Sequence, residues 1–64
     1  MASKIFIIYS EATYLDGSTD STDEATVSGE KAAIAYCNRK NEEYKERRKN
    51  NKQLPKIVWL YRAR

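Results

Sequence analysis

Two short runs carry most of the bulky apolar side chains of this chain: Lys4 to Tyr9 (KIFIIY) and Lys56 to Arg62 (KIVWLYR). Each is dense in β-branched and aromatic residues and bounded by polar ones, which is the pattern of a strand. Both are apolar on the two alternations, so each strand offers two apolar faces. The first run extends through Thr13, Tyr14 and Leu15 to Asp16-Gly17, a turn signal. Ser18 to Glu24 (STDSTDE) holds no apolar residue and reads as a solvated loop. Ala25 to Val27 then reads as a short edge strand returning beside the first. Pro55 opens the last strand at a position where proline is tolerated.

Between the strands lies a helix. Ser28 suits the N-cap, and Glu30 places an acid in the first turn where the helix dipole favours it. Lys31 at the third helical position leaves no capping box. The helix is expected over 29–49, with Asn50 and Asn51 as stop residues. At helical spacing Ala33, Ile34, Cys37, Asn41, Tyr44 and Arg48 share one face, which is apolar in its first half. Ile34 and Cys37 are expected against Ile8 and Leu60. Tracing chain directions gives an α+β fold, a ββαβ two-layer sandwich in which residues 1–64 form one domain. Its sheet is three-stranded and mainly antiparallel, with order 2-1-3 and a right-handed crossover through the helix.

One helix covers one face of a sheet. Pattern alone groups Ile5, Ile7, Tyr9, Ile57, Trp59 and Tyr61 on one face and Phe6, Ile8, Val58 and Leu60 on the other. The aliphatic group suits the small helix residues. The Tyr/Trp group, with Ile7, Tyr9, Trp59 and Tyr61 at its centre, is then the uncovered face and the candidate partner surface. The competing arrangement has the faces reversed or the acidic loop folded over the second one.

Catalytic chemistry is scarce. The chain has no histidine and a single cysteine, Cys37, which excludes the usual zinc sites and a Cys–His nucleophile. Cys37 sits on the apolar stripe as a small core residue. Asp16, Asp20, Asp23 and Glu24 have the composition of a calcium loop but not its spacing. No P-loop or dinucleotide fingerprint is present. The expectation is a protein that is not an enzyme and takes no metal or cofactor. No apolar run is long enough for a bilayer, the opening residues do not form a signal peptide, and an unpaired cysteine fits a reducing compartment. A cytoplasmic location follows as an expectation. A chain of this size without disulfides must rest on its core, a metal or an oligomer.

The net charge of +3 is polarised. Residues 1–36 carry two lysines against six acids, residues 37–52 seven bases against three acids, and residues 53–64 three bases and no acid. A basic half implies either an acidic partner or compensation inside the domain. On the helix, Arg39 with Glu42 and Glu43, Glu43 with Arg47, and Glu46 with Lys49 stand at pairing distances. Lys40, Arg47 and Arg48 remain as a basic flank near Tyr36, suited to phosphates or to an acidic protein surface.

The segments IFIIYS, SGEKAAIAYCNRKNEEY and KIVWLYR resemble those of very short strand-helix-strand proteins encoded by phages and mobile elements. The resemblance implies stoichiometric binding to a host protein, such as defence or transcription machinery. Two functions follow. One is a non-enzymatic inhibitor or adaptor that binds a host protein through the exposed sheet face, or forms a homodimer through it. The alternative is a small nucleic-acid-binding module using the basic flank and sheet aromatics. The acidic first half and self-paired helix favour the first.

Overall fold

A computed structural model describes residues 4–64. The element order is β1 (Ile5–Thr13), β2 (Thr19–Ser28), α1 (Glu30–Asn50) and β3 (Lys56–Ala63). The three strands form one antiparallel sheet in the order β2-β1-β3. The fold is α+β, a ββαβ arrangement with α1 on one side of the sheet.

β2 is longer than the sequence pattern suggests. It takes in most of the STDSTDE segment, with Thr19 to Asp23 paired to Tyr9–Thr13. These residues are exposed, so burial does not hold them in place. Backbone pairing with β1 and the Asp16–Gly17 turn do. Leu15, Asp16 and Gly17 make the connection. The Gly17 N–H donates to Tyr14 O at 3.0 Å, Gly17 has φ +89°, and the Tyr14 N–H donates to Ser18 O at 2.9 Å. Gly17 supplies the left-handed residue that closes such three-residue loops. The Asp16 carboxylate accepts from the Ser18 hydroxyl at 2.6 Å and the Ser18 N–H at 2.9 Å, and these bonds hold its pKa below the ordinary value. Glu24 is the extra residue of a bulge, since Ala25 opposes Ile8 and Asp23 opposes Tyr9.

No loop separates β2 from α1. Gly29, not Ser28, is the N-cap, and no side chain caps the helix. Ser28 is drawn into the strand, and the Gly29 N–H extends the ladder by donating to Lys4 O at 2.8 Å. Gly29 then turns the chain at φ +92° and ψ 143°, and its carbonyl accepts from Ala33 N–H. That backbone region is essentially closed to residues with a Cβ. At the far end Asn51 ends the helix, and its side chain accepts from the Gln53 N–H at 3.1 Å.

The core is Phe6, Ile8, Ala33, Cys37, Tyr44 and Trp59, flanked by Ala25, Val27, Tyr36, Leu54, Ile57 and Tyr61. Ile34 departs from expectation. It is 39% exposed, because the helix presents Ala33, Cys37 and Tyr44 to the sheet and turns Ile34 to one side. Beyond Tyr44 every helix residue is exposed. The described molecule is thin, 45 × 22 × 11 Å, with a radius of gyration of 13.2 Å. A compact domain of this length would have about 10.7 Å.

Gly29→Ala should cost about 1–3 kcal/mol in urea denaturation. The cost is conformational, since a Cβ there meets no atom within 4 Å. The Asp16 carboxylate contributes stability above its unfolded pKa of about 3.9 and loses it as the pH falls through its lower folded value. Acid unfolding of Asp16→Asn should therefore show a smaller pH dependence below about pH 4 than the parent.

Candidate functional site

Residues directly opposed in an antiparallel pair lie on the same face, so the register assigns both sides of the sheet. Ile8 opposes Tyr61, Ser10 opposes Trp59 and Ala12 opposes Ile57. With Phe6, Ala25 and Val27 these residues face the helix. Ile7 opposes Arg62, Tyr9 opposes Leu60 and Glu11 opposes Val58. These residues, with Ile5, Thr26 and Asp23, form the face that no other element covers.

The sequence grouping is therefore corrected for β3. Ile7 and Tyr9 lie on the open face as expected. Trp59 and Tyr61 do not, because the pairing of β3 to β1 sets odd-numbered β3 residues beside even-numbered β1 residues. Trp59 is 8% exposed and meets Tyr44 edge-on at 5.5 Å, while Tyr61 meets Phe6 edge-on at 5.6 Å. Val58 and Leu60, expected on the helix side, take the place of Trp59 and Tyr61 on the open face, and Ile57 moves to the helix side with those two aromatics.

The open face has an apolar middle and one ordered polar element. Ile5, Ile7, Tyr9, Val58 and Leu60 are exposed or half-buried. The Arg62 guanidinium lies 5.0 Å from the Tyr9 ring centroid and reaches Asp23 at 3.2 Å. This pair crosses β1 and ties the two outer strands together over the face. Such an exposed ion pair adds little stability by itself, but it orients Tyr9.

Both outer edges are blunted. The N–H of Arg64 donates to Ile5 O, so even-numbered residues at that end turn their backbone toward β1 and Trp59 turns its own outward. Asn41 meets it there. Trp59 N–H donates to Asn41 Oδ1 at 2.9 Å, and Asn41 Nδ2 donates to Trp59 O at 3.2 Å. The amide thus occupies the place of a neighbouring strand. On the other edge the Ser21 N–H donates to the Asp20 carboxylate at 2.9 Å. The pattern does not assign Asn41 its grip on β3 or Leu60 its place on the open face. For Asn41 the signal is a polar residue on the stripe between Cys37 and Tyr44, both apolar.

The basic flank is divided. Lys40 and Arg47 line a small cleft with Glu43, Tyr44 and Trp59, and Lys40 Nζ is 5.5 Å from the Trp59 ring. The Trp59 indole N–H is buried without an acceptor among the described residues. Arg48 lies on the other side of Tyr44, in a groove with Asn41, Lys45, Lys56, Ile57 and Val58. Of the helix ion pairs expected, Glu46–Lys49 closes at 3.5 Å. Arg39 instead places its guanidinium 5.3 Å from the Tyr36 ring. Cys37 is buried and its thiol pKa is raised by desolvation. Among the described residues no cluster of His, Cys, Asp and Glu could hold a metal, and no helix is long and apolar enough to cross a membrane.

No family model, curated protein or solved structure matches the chain.

Asn41→Leu should cost about 1–3 kcal/mol, the loss expected when part-buried backbone groups are left unpaired. Urea denaturation measures it. Asn41→Gln, whose longer amide cannot meet both groups in the same geometry, should recover only part.

Proposed function

We propose that the protein is a non-enzymatic binding protein that works by seating another protein surface on the open face of its sheet. The observation that carries this reading is a contiguous apolar strip, Ile5, Ile7, Tyr9, Val58 and Leu60, left bare in a two-layer molecule. A folded protein surface is the occupant that apolar strips of this kind fit. The phage-type inhibitor or adaptor reading is kept with a changed surface. Ile7 and Tyr9 remain in it, Val58 and Leu60 join, and Trp59 and Tyr61 support the strip from beneath. The nucleic-acid alternative is weaker on this geometry. Its stacking platform would need exposed aromatics, and Trp59 is under the helix. What favours it is the basic helix end, where Lys45, Arg48, Lys49 and Lys52 line one exposed patch. An acidic protein surface suits that patch equally, and Lys40, Arg47 and Arg48 would then steer association more than hold the complex.

The test compares the parent with Leu60→Lys, which places a charge in the middle of the strip, in capture from cell lysate with and without nuclease. The expected result is a stoichiometric protein partner that survives nuclease and is lost at least about tenfold on Leu60→Lys. Capture that nuclease removes and Leu60→Lys leaves unchanged would transfer the function to nucleic acid.

A further inference from the structure

The open face is polarised across its width. Its β3 flank carries Lys56 and Arg62, with Arg64 following beside Ile5, and no acid. Its β2 flank carries Asp23, beside the bulged Glu24, and no base. The strip between them is apolar from Ile5 to Tyr9 and on Val58 and Leu60, and polar at Glu11 and Thr13 toward the turn. A surface that is acid on one flank, apolar in the middle and basic on the other is complementary to itself under one rotation. We infer that the occupant of the open face is a second copy of this chain, related by a two-fold axis that lies between the two sheets and runs parallel to the strands. This rests on the reading of the open face as a protein-binding surface.

The axis follows from charge. A face-to-face dimer with closed symmetry needs a two-fold axis in the interface plane. With the axis along the strands, β1 lies over β1 and Glu11 meets its own copy at the axis, one like-charge contact, while each acidic β2 lies over the partner's basic β3, two opposite-charge contacts. With the axis across the strands, β2 lies over β2 and β3 over β3, so that Arg62 and Lys56 stack on like charges. Juxtaposed like charges are disfavoured. In the first arrangement Asp23 of each copy approaches the other copy's Arg62. That guanidinium has donors to spare, since it has five and reaches Asp23 of its own chain through Nη2 alone. Both side chains are about half exposed, at 48% and 60%.

Size sets the strength. Three strands about 4.8 Å apart and nine residues long give a flat footprint of about 430 Å² per copy. Two such footprints fall below the roughly 1,200 Å² of the smallest standard interfaces, so the dimer is weak and concentration-dependent. Two faces packed in this way make the two-sheet core, about 10 Å thick, that a single sheet lacks. The helices lie outside, where the basic flank stays accessible. With the axis along the strands, both β1–β2 turns sit at the same end.

Sedimentation equilibrium from about 10 μM to about 1 mM should show a monomer–dimer equilibrium, and Leu60→Lys should abolish it with unchanged far-UV circular dichroism. Asp23→Lys and Arg62→Glu should each weaken it, and mixing the two variants should restore dimer as a heterodimer. The axis is read by spin labels on Leu15→Cys in a Cys37→Ala background. Turns at one end put the labels within about 20 Å, whereas turns at opposite ends put them roughly 30 Å or more apart, the length of a nine-residue strand. A long distance, or a dimer indifferent to Leu60→Lys, overturns the inference. So does a monomer at about 1 mM. A monomer that captures a nuclease-resistant protein through Leu60 refutes self-pairing and leaves the open-face reading standing. A monomer for which Leu60→Lys changes nothing refutes both.

Discussion

The pairing of Ser10 with Trp59 is the contact on which the rest depends. Both strands are apolar on two sides, so either half of β3 has the hydrophobicity to face the helix. Slipping the register by one residue would exchange Trp59 and Tyr61 for Val58, Leu60 and Arg62. Shape and polarity decide between them. Asn41 can grip the outward backbone of Trp59 from the helix, while Tyr44 packs on the same indole and donates its hydroxyl to the Pro55 carbonyl. Together these contacts lock one turn of α1 to one residue of β3. In the slipped register Arg62 would come to the helix side, where a charge has no partner.

Gly29 sets the other end of the same lever. The chain passes from strand to helix through Gly29 alone, so the start of α1 is fixed by the ladder bond from Gly29 to Lys4. Ala33, one turn on, is fully buried, and its small side chain lets the helix approach the sheet closely. The helix is therefore pinned at Gly29 and again at Asn41 and Tyr44. Past Tyr44 nothing apolar holds it, and its last turns carry Arg47, Arg48 and Lys49, bases that the C-terminal end of the helix dipole favours.

How much of this was legible in the residues depends on which force places each element. The strand runs and the helix follow from apolar patterning, which burial enforces, and the 2-1-3 order from chain direction with the most apolar strand in the centre. β2 was read as far too short because Thr19 to Glu24 are held by backbone pairing, which leaves no apolar trace. Ser28 was read as the cap because its side chain suits the role. The strand took it, and the left-handed conformation that only glycine tolerates moved the cap one residue on. Ile34 and Cys37 are neighbours on the same stripe, and a small rotation of α1 decides which one is covered. The same limit applied to the site: Ile7 and Tyr9 were placed correctly, whereas Trp59 and Tyr61 required a register that alternation within one strand does not contain.

The two edges and the face of the sheet have been treated in opposite ways, and this shapes what the molecule can join. On β3 the Asn41 amide occupies the outward groups of Trp59. On β2 Asp20 binds the outward N–H of Ser21, and Asp23 and Glu24 at the bulge add charge and a break in the ladder. These devices discourage the addition of another strand at either side, the route by which small sheets grow into fibres. The face carries no comparable block. The Arg62–Asp23 pair lies across Tyr9 but is half exposed, and it fixes an aromatic ring in the middle of an aliphatic strip. On the proposed reading, association is directed to the layer above the sheet. An occupant there would add a second apolar layer on the side of the sheet opposite its core of six buried residues, so that β1 and β3 would be covered on both of their apolar faces.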